Sequence, residues 1–320
     1  MSISKNTGNQ QSNNPHVELQ TPYLQGLHLD ECISQGPLAW NLIYRDKNPQ
    51  VEYISLGQAM KSCAFRVSEI SEEGSVPNLA CQNETDKYVL ILQGEEITGA
   101  KQNRILNVSV IVPPNSSVIL PVSCVEQGRW RYRRQDFTKG YHAYTDLKRK
   151  LMEDVAESAS MGRGYEANQS RVWRDIDEKQ DYFNKYSRTG AMHELYEDIE
   201  PEFERFINKL DIDFAAGICV YINGHVVGID VFPSQAFFKN AYRDILRSYF
   251  LESTRFQNSS EPCSTFKEAS SFLKYLNLIP SKISEGVSMG NNINIISNHA
   301  VGSLLIHKDM LVHFTSYPRF

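Results

Sequence analysis

Two apolar, β-branched runs, Ile105 to Val112 and Val118 to Val125, are separated only by Pro113-Pro114-Asn115-Ser116-Ser117, and no other stretch constrains the fold as strongly. Apolar runs of this length bounded by turn residues read as strands, and five turn-forming residues between them read as a hairpin loop. If the loop is symmetric, Val112 faces Val118, Leu106 faces Cys124 and Arg104 faces Glu126. Residues two apart on a strand share a face, so Arg104 and Glu126 continue an apolar stripe and meet as opposite charges at its end. The other face carries Asn107, Ser109 and Ser123 and is expected to be partly wet.

A dense polar inventory flanks this pair. Before it runs Gly94-Glu95-Glu96-Ile97-Thr98-Gly99-Ala100-Lys101-Gln102-Asn103-Arg104, and after it Gly128-Arg129-Trp130. As a ligand pocket at the hairpin's open end, the site takes donors from Lys101, Gln102, Asn103, Arg104 and Arg129. Trp130 offers a face for a planar group. Glu126, Glu96 and Glu95 are the carboxylates available for catalysis. Glu95 and Glu96 are neighbours and point to opposite sides of an extended chain, so one at most serves the pocket unless Gly94 or Gly99 bends it. A simpler reading of Arg104 and Glu126 is a cross-strand ion pair that pins register. Cys124 reads as a packed thiol on the apolar face, or as a ligand contact whose thiol a nearby Arg acidifies.

The pattern Gly94-Glu95-Glu96, Gly99 to Arg104, Pro121 to Glu126 and Gly128-Arg129-Trp130, with a later Gln169 and Val172-Trp173, resembles a bacterial domain. That domain is named for its association with ADP-ribosylglycohydrolases and the rhodanese-phosphatase superfamily. The likeness spans roughly residues 20 to 250. It implies a setting of ADP-ribose or NAD-derived chemistry and of bacterial defence or anti-defence, through the company the domain keeps.

A chain of 320 residues, 41% hydrophobic and 22% charged, can bury one large or two ordinary cores. The formal charge of −5 gives no general attraction to nucleic acid or anionic membrane. No window approaches an apolar span and the polar N-terminus lacks an apolar signal core, so a cytoplasmic protein is expected. Six cysteines without Cys-x-x-Cys spacing point to reduced thiols, and the histidines, His142 and His225 among them, show no ligand spacing. No metal is assigned, although magnesium is compatible with an enzymatic reading.

The expected architecture is α+β. Residues 1–18 read as a disordered tail and 19–140 as a β-rich lobe, a sandwich or partly closed barrel carrying the site. Residues 141–320 read as helices followed by β-hairpins, packed with the first lobe as one unit. Helices are expected over Asp146 to Ser158, Gln169 to Tyr186, Met192 to Leu210, Gln235 to Phe250 and Thr265 to Leu276. Asn223-Gly224 and Lys308-Asp309 mark hairpins. Gln169 and Trp173 share a helical face, so a helix laid over the hairpin brings Gln169 to the pocket rim and Trp173 into the core.

Two classes of function fit these residues. One is capture or sensing of a nucleotide-derived ligand, with Arg104, Lys101 and Arg129 on phosphates, Trp130 on a base, and Gln102 and Asn103 on sugar or base edges. The other is hydrolysis of an ADP-ribosyl or phosphoester bond, with Glu126, Glu95 or Glu96 as general base or magnesium ligand. A structural partner subunit needs no pocket chemistry, and exposed strands leave a homodimer open.

Overall fold

A computed structural model describes residues 22–36, 38–134, 136–208, 212, 214–256 and 264–319. The proposed tail at 1–18 and Cys263 lie outside these residues. Among them the chain is mixed α+β, with seven α-helices and eighteen strands in three sheets of nine, three and six strands.

The nine-stranded sheet is antiparallel and joins early and late strands of the described residues, because Leu38–Arg45 pairs with Gly217–Ile222 beside the strands of the C-terminal third. Its tight hairpins form where the sequence asks for them. Asn223 and Gly224 take φ of 50° and 75°, Lys308 and Asp309 take 50° and 58°, and asparagine, aspartate and glycine tolerate that region best. The helix Ala269–Leu276 covers one face of this sheet through Phe272 and Leu276. The other face shares a core with the long helix Gln235–Phe256, where Trp40, Val220 and Leu305 meet Phe237, Phe238 and Phe250.

The three-stranded sheet is a middle layer. Tyr88–Ile91 pairs in parallel with Tyr53–Ser55 and antiparallel with Val110–Val112. Its side chains alternate between two cores: Leu90 and Ile111 join the long helix, while Val89, Ile91, Val110 and Val112 join the six-stranded sheet. A sheet buried on both faces needs unbroken apolar runs, which is what Val89-Leu90-Ile91-Leu92 and Val110-Ile111-Val112 supply. The six-stranded sheet of the N-terminal portion curls into a half-barrel. Helices Thr145–Ser160 and Gln169–Tyr182 cover its far face through Leu147, Leu151, Val172 and Ile176, which pack on Ile105 and Val125. Trp173 is only half-buried, and Val172 and Ile176 carry the core contacts expected of it.

The expected hairpin does not form as a single unit. Val110–Val112 leaves for the middle sheet, whereas Ser116–Cys124 pairs with Asn78–Asn83 over its first half and with Arg104–Leu106 over its second. Arg104 therefore lies opposite Cys124, two residues from the expected partner Glu126. The break falls at Asn107-Val108-Ser109, where buried polar side chains divert the chain. Ser109 Oγ accepts the Gln93 amide at 2.9 Å, Gln93 Nε2 donates to the Asn107 carbonyl at 2.8 Å, and Ser123 Oγ donates to Asn107 Oδ1 at 2.7 Å. The face expected to be wet is thus a sealed polar seam, with Asn107, Ser109 and Ser123 all buried. The long helix expected over Met192 to Leu210 is also divided, into Glu194–Glu197 and Glu200–Ile207, with Pro201 opening the second piece.

Candidate functional site

The strand Glu95–Gly99 pairs with Phe137–His142 on one side and Arg104–Leu106 on the other, so its two faces present different chemistry. Glu95 and Glu96 point to opposite faces, as alternation requires.

On the Glu96 face, Glu126 meets Arg129 rather than Arg104. Arg129 Nη2 donates to Glu126 Oε2 at 2.6 Å, to Asn103 Oδ1 at 3.0 Å and to the Gly99 carbonyl at 3.1 Å, while Nη1 donates to the carbonyls of Ala100 and Arg131. The Asn103 amide and Thr189 Oγ1 donate to the remaining capacity of Glu126, at 3.2 and 2.9 Å. Burial raises the carboxyl, but Arg129, Thr189 and the amide outweigh it and hold Glu126 below the usual carboxylate range. Gln102 is a strut within the same knot: its Nε2 donates to the Glu126 carbonyl and its Oε1 accepts from Arg104 Nη1.

Glu96 and Asn103 extend this network to His193. Asn103 Nδ2 lies 3.0 Å from His193 Nδ1, and Glu96 Oε1 lies 3.7 Å from the same nitrogen. The Glu96 carboxylate raises the imidazole pKa against the effect of partial burial. His193 and Thr189 arrive on the segment after residue 186, which lies along Val125-Glu126-Gln127-Gly128. The Met192 amide donates to the Val125 carbonyl at 2.9 Å and the Gly128 amide to the Thr189 carbonyl at 2.8 Å. No local pattern marks these two residues in the sequence, because Thr189 acts through a partner 63 residues away and His193 through one 90 residues away.

Arg104 is fully buried, yet only its Nη1 has partners. Among the described residues Nε and Nη2 have no hydrogen-bond partner. Burial pushes its pKa down. Its guanidinium carbon sits 5.4 Å from the ring centre of Trp130, a side chain 47% exposed, and Lys101 Nζ sits 5.6 Å from that ring and 5.3 Å from Tyr132. Lys101 also donates to the Glu72 carbonyl, and the buried Glu69 Oε2 has no hydrogen-bond partner among the described residues. Lys101, Arg104 and Trp130 therefore converge, while Gln102, Asn103, Glu126 and Arg129 hold one another.

Cys124 is buried and burial pushes its thiol up to about 11, the reverse of an activated nucleophile. Its backbone explains Gln169. The side-chain amide accepts from the Cys124 N–H and donates to the Cys124 carbonyl, both at 2.8 Å, replacing a strand partner beyond the end of Asn78–Asn83. Gln169→Ala leaves both groups unpaired and is expected to lower stability by about 2 kcal/mol, with Gln169→Glu recovering only the accepting half. Urea denaturation of the three proteins measures this, and an unchanged midpoint for the alanine variant would remove Gln169 from the sheet's support.

On the opposite face, Glu95 borders a cavity of about 290 Å³ whose lining includes Gln58, Lys61, Lys139, His142, Asn240 and Asp244. Glu95 Oε2 accepts from the Leu92 amide at 2.7 Å and Oε1 lies 4.0 Å from Lys139 Nζ. Burial, only partly offset by Lys139 and the amide, raises its carboxyl to about 7. Gly94, at φ of 80°, turns the chain here. A Cβ at this position would lie 2.9 Å from Lys148 Cγ and 3.1 Å from the His142 ring.

Among the described residues no cluster of histidine, cysteine, aspartate and glutamate is arranged to hold a metal ion, and no helix is long and apolar enough to cross a membrane. No curated protein and no solved structure matches the chain. Residues 26–317 do match the ARG and Rhodanese-Phosphatase-superfamily-associated Protein domain, which spans both site faces and all three sheets, and the chain belongs to that family.

Proposed function

We propose that the protein captures a phosphorylated, planar-headed small molecule of the nucleotide, ADP-ribose or NAD-derived kind at the face formed by Lys101, Arg104 and Trp130. The observation that supports this reading is the Arg104 guanidinium, fully buried with two donors unpaired beneath a half-exposed indole. Buried donors without partners are rare and unfavourable, and a planar fork of N–H groups suits a phosphate. Lys101 adds a second cation, Trp130 a stacking surface for a base, and Glu69 Oε2 an acceptor for a ribose hydroxyl. Capture is favoured over turnover at this face because the oxygens of Glu126 are taken by Arg129, Asn103 and Thr189. The family's association with ADP-ribosylglycohydrolases supplies a setting in bacterial defence or anti-defence.

The test is to incubate pure protein with NAD, ADP-ribose, cyclic ADP-ribose isomers and cyclic nucleotides, then denature it and identify released molecules by mass spectrometry. Intact ligand is expected back. Trp130→Ala should weaken its binding by about tenfold or more, the worth of one lost base stack. Arg104→Lys should weaken it further. Unchanged affinity in Trp130→Ala would move the site elsewhere.

A further inference from the structure

A cavity of about 440 Å³ shares no residue with either face of the Glu95–Gly99 strand. Its walls come from residues 47–51, from Tyr53, and from His307, Lys308 and Met310 of the Lys308-Asp309 hairpin. None of the described residues lining it is acidic, although Asp46, Glu52 and Asp309 stand beside lining residues in the chain. Asp46 is held by His28 at 2.7 Å, and Asp46 and Asp309 border a separate cavity. Lys47 and Lys308 have no ion-pair partner among the described residues. In a chain of formal charge −5, an acid-free cavity bearing two unpaired lysines is a local reversal of sign.

Two buried residues of the lining hold each other. His307 and Tyr53 are each 6% exposed, and His307 Nδ1 lies 2.6 Å from Tyr53 Oη. Burial, then Tyr88, raise the pKa of the Tyr53 phenol, so it keeps its proton. Nδ1 is the phenol's one hydrogen-bond partner among the described residues, so the O–H donates to Nδ1 and the imidazole's own proton sits on Nε2. Burial, then Lys308, lower the His307 pKa and keep the ring neutral. Nε2 has no partner among the described residues and, unlike the ring nitrogens of His142, is not shut off from solvent, so its N–H is offered to the cavity. The Tyr88 ring, centred 5.9 Å away, packs against the imidazole. Lys308 sits at φ of 50°, where a lysine is strained and a turn of this kind ordinarily takes asparagine or glycine. Strain kept at an exposed turn points to a use for the side chain.

We infer that this cavity binds a phosphate monoester, with Lys47 and Lys308 on phosphate oxygens, the His307 Nε2–H donating to another, and the organic part of the ligand against Val51 and Met310. Ammonium groups act as point charges that can approach a tetrahedral dianion from several directions. The lining holds no arginine, whose planar fork pairs with a carboxylate two N–H groups at a time. The volume lies in the range of small-molecule sites. This inference does not depend on the capture reading, since it uses none of the residues of that face.

The test titrates the full chain by isothermal calorimetry with inorganic phosphate, phenyl phosphate and benzoate as probes. Millimolar or tighter binding of phenyl phosphate is expected, with inorganic phosphate weaker because it leaves the apolar wall unfilled, and no binding of benzoate over the same range. Lys308→Asn should weaken phenyl phosphate by about tenfold or more, the worth of one charge-assisted hydrogen bond. The same change should raise the melting temperature by about 2 °C, because asparagine suits the left-handed backbone at 308. Lys47→Ala should weaken binding to a similar extent and leave the melting temperature unchanged. Tyr53→Phe frees the imidazole proton to move to Nδ1 and should weaken binding severalfold. No binding of either phosphate by the wild type, or benzoate bound as tightly as phenyl phosphate, overturns the proposal. So do Lys308→Asn and Lys47→Ala titrating like wild type, the result expected if phosphate binds only at the Trp130 face.

Discussion

Replacing Arg129 with alanine is expected to lower the melting temperature by about 10 °C, because removing one partner of a buried ion pair costs about 3–5 kcal/mol in a chain of this size. The large effect follows from how many groups converge on this one guanidinium. Arg129 is 7% exposed and donates to Glu126, Asn103 and three backbone carbonyls, so its loss strands a buried carboxylate and leaves the turn from Gly99 to Asn103 without its clamp. Lysine at 129 is expected to restore little, since an ammonium cannot reproduce a planar fork over five acceptors. The double change Glu126→Leu with Arg129→Met should recover part of the loss by removing the stranded charge, but not all, because the carbonyls of Gly99, Ala100 and Arg131 remain without a donor. Differential scanning calorimetry of the four proteins measures the series. A melting temperature within two or three degrees of wild type for Arg129→Ala would show that the knot is not what holds this face together.

Glu95→Gln is expected to flatten the pH dependence of stability. The Glu95 carboxyl titrates near 4.5 when exposed and at about 7 in the folded protein. Between those values the unfolded chain has released its proton while the folded chain keeps it, so stability from this group is full below about 4.5, falls as pH rises to about 7, and stays low above. At about 1.36 kcal/mol per pH unit the interval amounts to about 3 kcal/mol. The glutamine variant should match wild type at pH 4.5, exceed it by up to that amount at pH 8, and retain the hydrogen bond from the Leu92 amide. Denaturant titrations at four pH values test this, and parallel curves for the two proteins would mean that Glu95 is ionised in the fold at neutral pH.

Local chemistry carried much of the architecture. The Asn223-Gly224 and Lys308-Asp309 turns, the helices near 145–160, 169–182 and 235–256, and the strands near 38–45 and 88–91 all follow from periodicity and turn residues. Polar strands were less visible. Glu95–Gly99 and Phe137–His142 carry charged and small residues whose alternation does not read as apolar on one face, because one face meets a charged knot and the other a polar cavity. The symmetric hairpin failed for a different reason. Val110–Val112 and the first half of Ser116–Cys124 each pair with another strand, Arg104–Leu106 still pairs with Val122 to Cys124 two residues off the expected register, and buried side chains at Asn107 and Ser109 stabilise the departure.

The sequence by itself determined the family, the α+β class and the concentration of polar groups around Lys101, Arg104 and Trp130, since a contiguous motif and local patterning encode them. Only the tertiary structure decided that Glu126 pairs with Arg129, that Gln169 completes a sheet edge, and that His193 joins one face of a strand while Lys139, His142 and Asp244 join the other. Apart from Glu126 and Arg129, which are three residues apart, the partners in these contacts come from helices, turns and strands remote in the chain. Burial then sets their charge states, and burial is a property of the folded surroundings rather than of any residue's neighbours in sequence.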